Sequence, residues 1–386
     1  MSFKIYQITQ PQIIRFGVGA VSTLGGEANK LGFKKALIIT DPGVYQSGLV
    51  APVKEPLSEA GLSVEVFSES EPEPTLTRLN EAAKKLRKGN YDLLIGLGGG
   101  SSMDTAKGLS VLLAHGGDGQ DYVGVDKVPG PGIPLFTLPT TAGTGSEVTN
   151  IAIFSDPEKE LKLGMVSPHL LARLALVDPA LTYGCPPGVT AASGIDALVH
   201  AIECYTSIKA NSFSDALALE AMRLIAGSLK TAVSNGSDKE ARNQMAEGAL
   251  LAGIAFGNAG VAAVHALAYP LGARFHVSHG TANGLLLSYV MECNLPANFP
   301  KYAVIARMLG VKTEGLSPQE AAGRGVKTVR ALATDIGIPS HLRDLGVPEE
   351  ALEGMAVATM DVTRLLANNP KELTLDDVRS IWRNAW

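Results

Sequence analysis

Asp92-Leu-Leu-Ile-Gly-Leu97, followed by Gly98-Gly-Gly-Ser101, carries the clearest fold signal in this chain. The first six residues form a compact apolar run, which predicts a strand buried on both faces. Three glycines end the run, and helical spacing then continues from Met103 to Leu113. A buried strand, a glycine turn and a helix in this order predict one unit of an α/β fold.

Similar apolar runs recur on both sides of this stretch and alternate with helical segments. This alternation predicts a mostly parallel sheet covered by helices on both faces. Strands are predicted at residues 12–16, 35–40, 63–67, 133–138, 150–154, 161–165 and 173–177, and helices at 22–30, within 49–60 and at 76–86.

The pattern changes after Asp178-Pro179, and from about Thr190 onward no convincing strand follows. The clearest helical segments there are residues 214–232, 239–256, 282–291 and 318–336. The prolines of Cys185-Pro-Pro-Gly188 form a stiff break between the two patterns. The sequence therefore predicts an α/β domain over residues 1–186 and an all-helical domain over residues 187–386.

The bulk composition excludes several classes of function. The chain has 386 residues, is 46% hydrophobic and carries a net charge of −5 from interspersed charges. This charge pattern argues against nucleic acid or a membrane surface as the main partner. Its three cysteines, Cys185, Cys204 and Cys293, form no CxxC pair, so we expect neither a disulfide framework nor a cysteine zinc site. A reducing, cytoplasmic location fits this usage.

Two loops rich in small residues follow two of the predicted strands. In Gly98 to Ser102, missing Cβ atoms let backbone N–H groups approach a phosphate, and the following helix N-terminus adds positive charge. Pro139-Thr-Thr-Ala-Gly-Thr-Gly-Ser146 adds several hydroxyl groups. The alternatives are a tight turn and hydroxyls that cap a helix. Two such loops favour a ligand with more than one phosphate, and so a nucleotide-binding domain.

Asp41 follows the predicted strand at residues 35–40. A carboxylate at this position commonly binds the ribose 2′-hydroxyl and repels a 2′-phosphate, so it favours NAD over NADP. The alternative is an aspartate that opens a turn before Pro42-Gly43.

The helical half carries a candidate metal site. Asp196 and His200 are four residues apart, so a helix would present both on one face. His265 and His279 supply two further imidazoles. Each residue alone has a simpler explanation, as a buried histidine with a hydrogen-bond partner or an aspartate in a first helical turn. Together, one carboxylate and three imidazoles without a thiolate indicate Fe(II), Zn(II) or Ni(II).

Four motifs together resemble the iron-containing (group III) alcohol dehydrogenase family. The resemblance implies a Rossmann-like N-terminal domain and a helical, metal-binding C-terminal domain, the plan of dehydroquinate synthase. It implies hydride transfer between a primary alcohol and NAD, with Fe(II) polarising the alcohol oxygen. The motifs are Gly98-Gly-Gly-Ser-Ser-Met-Asp-Thr-Ala-Lys107, Pro139-Thr-Thr-Ala-Gly-Thr-Gly-Ser-Glu147, Gly194-Ile-Asp-Ala-Leu-Val-His-Ala-Ile-Glu203, and His265-Ala-Leu-Ala-Tyr-Pro-Leu-Gly272 with His279-Gly280.

The same resemblance implies roles for individual residues. The Fe(II) ligands would be Asp196, His200, His265 and His279. His279 and Tyr269 are the candidates for catalysis, and Tyr269 stands where many members have a proton-relaying histidine. Together with Asp41, the cofactor contacts would be Gly98, Gly99, Gly100, Ser101, Ser102, Asp104, Thr140, Thr141, Thr144, Lys162 and Leu181.

Two further positions depart from the family pattern. Glu73 stands where many members have asparagine near the cofactor, which weakens the preference for NAD. Ile151 replaces a polar residue of some short-diol enzymes and favours a less polar substrate.

The alternatives within this architecture are a zinc- and NAD-dependent polyol dehydrogenase of the glycerol type and a hydroxyacid–oxoacid transhydrogenase. Outside it, a nucleotide sensor or scaffold and a metal-dependent hydrolase fit the motifs less well. The expected partners are a small alcohol or aldehyde, NAD rather than NADP, and Fe(II) with Zn(II) as the second choice. A homo-oligomer, in the form of a dimer, is expected because assembly is common in the family.

Overall fold

The computed structural model describes residues 5–157 and 161–386. It divides into two compact units, one of which spans Thr9–Cys185 and the other Pro186–Trp386 together with the N-terminal segment that ends at Ile8. The predicted first domain held the whole N-terminus, but residues 5–8 belong to the helical unit, where the Tyr6 hydroxyl lies 3.1 Å from Ser212 Oγ. So short a segment has no periodicity that could assign it to a unit. Residues 1–4 lie outside the described part.

The first unit is built on a six-stranded sheet in which every paired strand is parallel. The predicted parallel sheet is confirmed. Its strands are β1 (Ile13–Phe16), β2 (Lys35–Ile39), β3 (Ser63–Phe67), β4 (Leu93–Gly98), β6 (Leu135–Pro139) and β9 (Leu174–Val177). They lie in the order β1-β9-β6-β4-β2-β3. The helices of this unit are α1 (Leu24–Lys30), α2 (Pro42–Gln46), α3 (Val50–Glu59), α4 (Leu76–Leu86) and α5 (Gly100–His115).

Side chains from alternate positions of the central strands enter two separate cores. On one face Ile38 packs in a cluster with residues of α1 and α3, and on the other Leu37 and Ile39 pack in a cluster with residues of α4 and α5. Strands buried on both faces require the nearly continuous apolar runs seen in the sequence. These runs made this part of the fold predictable.

A second, three-stranded sheet was not predicted as a separate unit. It consists of β5 (Gly124–Val125), β7 (Ile151–Asp156) and β8 (Leu161–Val166), in the order β5-β8-β7. β7 and β8 are antiparallel. The short connection between them allows a hairpin, whereas a parallel pair needs a crossover of a dozen or more residues.

The second unit consists of helices in the part of the chain that the structure describes. α6, α7 and α8 pack together, and α10 packs against α6, α9 and α12. The helices are α6 (Pro187–Thr206), α7 (Ser212–Ser234), α8 (Lys239–Ala259), α9 (Ala263–Phe275), α10 (His279–Asn294), α11 (Phe299–Met308), α12 (Pro318–Asp335), α13 (Ala351–Met360), α14 (Thr363–Leu366) and α15 (Leu375–Ala385).

Among the described residues, no helix is by itself long and apolar enough to cross a membrane. α8 and α9 meet that criterion only as a pair, bent by 103° at their junction.

Candidate metal and nucleotide sites

Three helices of the second unit bring the predicted metal ligands together. α6 carries Asp196 and His200 one turn apart, α9 carries His265 near its start, and α10 begins at His279. Asp196 Oδ1 lies 3.8 Å from the Nε2 atoms of both His265 and His279. One ligand atom from each of these three residues lies within 4.8 Å of the others. This spacing allows all three atoms to bind one ion.

His200, the fourth predicted ligand, lies at the side of this group. Its Nε2 is 3.9 Å from Asp196 Oδ2. Its ring stacks on His265 with centroids 4.8 Å apart, and on Phe256 of α8 at 4.3 Å. The sequence did not indicate Phe256 as a site residue, because a single phenylalanine in an apolar helix is common in protein cores. It keeps the imidazole in place from the side away from His265.

The amide of Asn283 shows what kind of ligand the group accepts. Its Nδ2 lies 2.6 Å from Asp196 Oδ1, 3.2 Å from His265 Nε2 and 3.1 Å from His279 Nε2. An amide nitrogen only donates hydrogen bonds, so three acceptor atoms converge on one electropositive group. The amide oxygen is buried without a hydrogen-bond partner among the described residues. One carboxylate oxygen and two imidazole nitrogens that face a common point fit a divalent transition-metal ion.

Electrostatics agree with this interpretation. Burial alone raises the pKa of a carboxyl group, because it disfavours the charged form. At Asp196 the imidazoles of His200, His279 and His265, together with the Asn283 amide, outweigh burial and hold the pKa below its ordinary value. The group therefore keeps a negatively charged oxygen ready for a cation.

Two glycines allow α10 to lie against α6. A Cβ on Gly280 would stand 2.0 Å from the carbonyl oxygen of Ala192, and one on Gly284 would stand 2.8 Å from Ile195 Cγ2. The two glycines are one turn apart on α10, as are His279 and Asn283. The close approach brings this second pair to Asp196.

The chain between α9 and α10 turns at His276, which has a left-handed φ of 54° and is exposed. Among the residues that the structure describes, the metal-ligand group contains Asp196, His265 and His279 and does not include His276. Tyr269 lies on α9 one turn after His265 and is partly exposed. The structure thus places Tyr269 and His265 on the same side of one helix.

The two glycine and hydroxyl loops lie side by side in the first unit. β4 and β6 are parallel neighbours, with Gly98 opposite Pro139, so the loops leave the same edge of the sheet. Thr140 N donates to Gly98 O at 3.0 Å. A Cβ on Gly100 would lie 3.1 Å from Thr144 Cγ2, and one on Gly99 would lie 3.7 Å from Thr141 Oγ1. The structure therefore brings Gly98–Ser102 and Thr140–Thr144 together beyond the carboxyl ends of adjacent strands, where such sheets bind ligands.

Asp41 borders the first of these loops. It is the N-cap of α2, and its Oδ1 accepts from Val44 N at 2.9 Å. Its Oδ2 accepts from Ser102 Oγ at 3.1 Å and would lie 3.2 Å from a Cβ on Gly98. The turn-opening role and the position beside a nucleotide loop thus occur together.

The other predicted cofactor contacts differ in their surroundings. Asp104 Oδ1 accepts from Ser146 Oγ at 2.6 Å, and its Oδ2 accepts from Ile153 N at 3.0 Å. Asp104 therefore ties α5 to the end of the second loop and to β7. Leu181 is buried in the core cluster that also contains residues of α1 and α3.

Lys162 forms an ion pair of 3.0 Å with Glu73 and donates to Ser155 Oγ at 2.8 Å. Glu73 has a left-handed φ of 52°, and its N–H donates to Ser101 Oγ at 3.2 Å. Ser101 belongs to the first loop, so Glu73 and Lys162 lie close to it.

A fully buried lysine, the last residue of the glycine motif and one to which the sequence assigned no role, supports both loops. Lys107 Nζ donates to Ser146 Oγ at 2.9 Å, to Thr149 Oγ1 at 3.3 Å and to the Ile151 carbonyl at 2.6 Å. Burial lowers its pKa to about 8, although Asp104 and Glu147 oppose this effect. Lys107 lies two turns along the helix that the first loop opens, and this position was the available signal.

Comparison with known proteins identifies the family. A family model described as iron-containing alcohol dehydrogenase matches residues 11–179, and the C-terminal model of the same family matches residues 190–386. The chain belongs to the iron-containing alcohol dehydrogenase family. It is a metal-dependent alcohol dehydrogenase or aldehyde reductase, and membership implies iron and a nicotinamide cofactor of the NAD type.

Relatives of this iron-containing alcohol dehydrogenase align with it along almost its full length. Long-chain-alcohol dehydrogenase 1 of Geobacillus thermodenitrificans is 45% identical, over 99% of this chain and 97% of that relative. Lactaldehyde reductase of Escherichia coli K12 is 40% identical, over 96% of this chain and 97% of that relative. A crystal structure of a 1,3-propanediol oxidoreductase superposes with a TM-score of 0.96 at 39% identity, covering 99% of this chain and all of the other. The resemblance, the two-part fold and the enzyme class predicted from the sequence are confirmed.

Proposed function

We propose that this enzyme transfers a hydride between a primary alcohol and NAD and uses Fe(II) held by Asp196, His200, His265 and His279. The convergence of Asp196, His265 and His279 on the Asn283 amide nitrogen carries the proposal. When bound, Fe(II) supplies a Lewis acid that polarises the substrate oxygen, and NAD accepts or returns the hydride.

Within this proposal the residues of the chain have separate tasks. The backbone N–H groups of Gly98–Ser102 and the hydroxyls of Thr140, Thr141 and Thr144 bind the cofactor phosphates. Asp41 accepts a hydrogen bond from the adenosine ribose and disfavours NADP. Tyr269 moves the alcohol proton toward solvent, and its position one turn from His265 supports this role.

Residues near the two loops support further cofactor contacts, and one residue of β7 supports a class of substrate. Lys162 approaches the first loop through Glu73, and Asp104 contacts Ser146 of the second loop, which supports contacts of both residues to the cofactor. Leu181 is buried in the core cluster, so its proposed cofactor contact rests on the family resemblance alone. Ile151, at the start of β7, favours an alcohol or aldehyde of low polarity over a diol.

The oligomeric state and the cellular location complete the proposal. We propose a homodimer, because β1 is an edge strand of its sheet and exposes Phe16 and, just after it, Val18. Such edges readily pair with another chain. Light scattering of the purified enzyme measures its molar mass and so tests whether it is a dimer.

We propose a cytoplasmic location, because Cys185, Cys204 and Cys293, all in the described part, form no disulfide.

The experiment follows NADH consumption with butanal after reconstitution with Fe(II), and then compares short alcohols, diols and hydroxyacids with NAD and NADP. His200→Ala is expected to abolish the metal-dependent rate and to keep the wild-type circular dichroism. His115→Ala is the matched control, because His115 belongs to the other unit and its Nε2 lies 3.1 Å from the loop carbonyls of Gly130 and Pro131. A His200→Ala enzyme that reduces butanal at the wild-type rate would remove this residue from the site. Metal analysis of protein expressed without added metal separates iron from zinc.

A further inference from the structure

A buried carboxylate stands behind His265, on the side opposite the proposed metal. Glu203 lies on α6 one turn after His200, and only 4% of its surface is exposed. Its Oε1 accepts from Val264 N at 2.6 Å. Its Oε2 accepts from Ala262 N at 3.0 Å and lies 2.6 Å from His265 Nδ1. Three N–H groups at the start of α9 thus face one side chain of another helix.

The first turn of α9 depends on this side chain. Ala262 is the N-cap of the helix and has no side-chain oxygen to satisfy the first backbone N–H groups. Glu203 supplies that acceptor from α6, the helix that carries Asp196 and His200. Negative charge at a helix N-terminus is also favoured by the helix dipole. Glu203 therefore fixes the start of α9, and His265 with it, relative to Asp196.

Two independent contacts determine which nitrogen of His265 carries the hydrogen. A carboxylate accepts hydrogen bonds, so Nδ1 at 2.6 Å from Glu203 Oε2 is the donor. On the opposite side of the ring, Nε2 lies 3.2 Å from Asn283 Nδ2, which only donates. The orientation of that amide follows from its contact of 2.6 Å with Asp196 Oδ1, an acceptor. A neutral imidazole with hydrogen on Nδ1 has a lone pair on Nε2, the nitrogen that faces Asp196 and His279.

We propose that Glu203 is a positioning residue that holds His265 in the Nδ1–H form, with the Nε2 lone pair directed into the metal site. This inference rests on the proposed function, because it needs the metal site formed by Asp196, His265 and His279. Carboxylates that orient metal-binding histidines in this way change metal affinity about 10- to 100-fold when they are replaced. Glu203 itself binds neither metal nor substrate.

The test compares Glu203→Gln with a matched buried carboxylate. Glutamine keeps the size of the side chain but offers only one acceptor oxygen to three donors. Asp178→Asn is the control, because Asp178 is also buried and accepts three backbone N–H groups, from Gly19, Val21 and Ala180, without any histidine. A loss of stability is therefore expected in both variants, and a loss of metal binding only in Glu203→Gln.

Two measurements are made on metal-free protein. Competition with a chromophoric chelator gives the dissociation constant for Co²⁺, which is expected to rise about 10- to 100-fold in Glu203→Gln and to stay within twofold of wild type in Asp178→Asn. Long-range ¹H–¹⁵N correlation of ¹⁵N-histidine-labelled protein, with His265 assigned from His265→Asn, reports the tautomer. We expect Nδ1–H in wild type and a shift toward Nε2–H in Glu203→Gln. Glu203→Asp, which keeps both oxygens, is expected to retain Nδ1–H and to restore part of the affinity.

The outcomes separate this inference from the proposed function. Wild-type protein that takes up no Co²⁺ would refute the metal site itself. Wild-type binding together with equal Co²⁺ affinity in Glu203→Gln would refute the role of Glu203 alone. Weakened binding with His265 still in the Nδ1–H form would also refute it, because Glu203 would then act only on the backbone of α9. If Glu203→Gln does not fold, the tautomer and affinity of Glu203→Asp are decisive: Nε2–H at His265 together with wild-type Co²⁺ affinity in that variant would overturn the inference.

Discussion

Asp41 uses its two carboxylate oxygens for different partners. Oδ1 caps α2 through Val44 N, and Oδ2 faces Ser102 and the backbone of Gly98. The cap and the proposed ribose contact are therefore compatible in one side chain. Because glycine is itself a tolerated N-cap, Asp41→Gly costs only a few tenths of a kcal/mol in helix stability. The substitution isolates the role of the second oxygen.

Asp41→Gly is expected to raise the ratio of kcat/KM for NADP to that for NAD at least tenfold. Removal of the carboxylate removes both an acceptor for the 2′-hydroxyl and the repulsion of a 2′-phosphate. Steady-state kinetics with both cofactors measures the ratio. Asp238→Gly is the control, since Asp238 caps α8 through Ala241 N in the other unit. An unchanged ratio in Asp41→Gly would exclude Asp41 from the ribose.

Glu147, at the end of the second loop, makes stability depend on pH. Burial raises its pKa from 4.5 to about 7, and Lys107 offsets this only in part. The native state therefore holds a proton that the unfolded chain releases near pH 4.5. This contribution to stability is fully present below pH 4.5 and is lost as the pH rises through 7. The difference between the two pKa values is worth about 3 kcal/mol.

We expect Glu147→Gln to gain stability relative to wild type as the pH rises, because glutamine does not ionise. The unfolding midpoints of the two proteins should be similar at pH 5, and that of the variant should be higher at pH 8. Thermal unfolding followed by circular dichroism at both pH values tests this. Midpoints that differ by the same amount at pH 5 and pH 8 would contradict the raised pKa.

At the scale of elements, the contact between α6 and α10 determines the distances in the metal group. Gly280 lies directly on the Ala192 carbonyl, and Gly284 lies on Ile195. Any side chain at either position pushes α10 away from α6. Because Asp196 and His279 lie on these two helices, the same displacement would separate the ligand atoms.

Gly280→Ala is expected to destabilise the helical unit by about 1–3 kcal/mol, the usual cost of overpacking, and to weaken Co²⁺ binding at least tenfold. Gly323→Ala in α12 is the matched control, since a Cβ there meets nothing within 4 Å. It should stabilise the protein by up to about 1 kcal/mol, because alanine is the better helix former. Chemical unfolding and Co²⁺ titration of both variants give the comparison. Wild-type Co²⁺ affinity in Gly280→Ala would show that metal binding does not require this close contact between α10 and α6.

Elements were predictable where periodicity was strong and were missed where glycine or proline interrupted it. β2, β4, α4 and α7 follow their predicted ranges closely. α5 begins at Gly100 instead of Met103, because glycines carry no hydrophobic pattern that could indicate helix. α9 was not predicted as a helix and contains Pro270 in its interior. Nine of its thirteen residues are buried, and this burial supplies the stabilisation that its local sequence lacks.

At the scale of the whole molecule, the proposed metal would connect three helices that are far apart in sequence. An ion that binds the native state and not the unfolded chain stabilises it by RT ln(1 + [L]/Kd), about 4 kcal/mol at a free concentration of 1,000 times Kd. Metal removal should therefore lower the stability of the helical unit in particular.

Treatment with EDTA is expected to lower the thermal unfolding midpoint by several degrees, and added Fe(II) under anaerobic conditions is expected to restore it. Asp196→Ala, which lacks the shared carboxylate, should unfold at the same temperature with and without EDTA. Calorimetry of both proteins measures the shift. If EDTA leaves the wild-type midpoint unchanged, the protein does not use a tightly bound metal for stability.

Sequence patterns were sufficient to predict the parallel sheet, the position of both glycine loops, the family and the candidate metal ligands. These properties depend on local patterns, such as buried apolar runs, glycines at strand ends and a carboxylate four residues before an imidazole. The contacts of Asn283 with three of those ligands and of Glu203 with His265 Nδ1 became visible only in the folded structure. Both contacts join side chains on different helices, and their distances depend on how closely glycines allow those helices to pack.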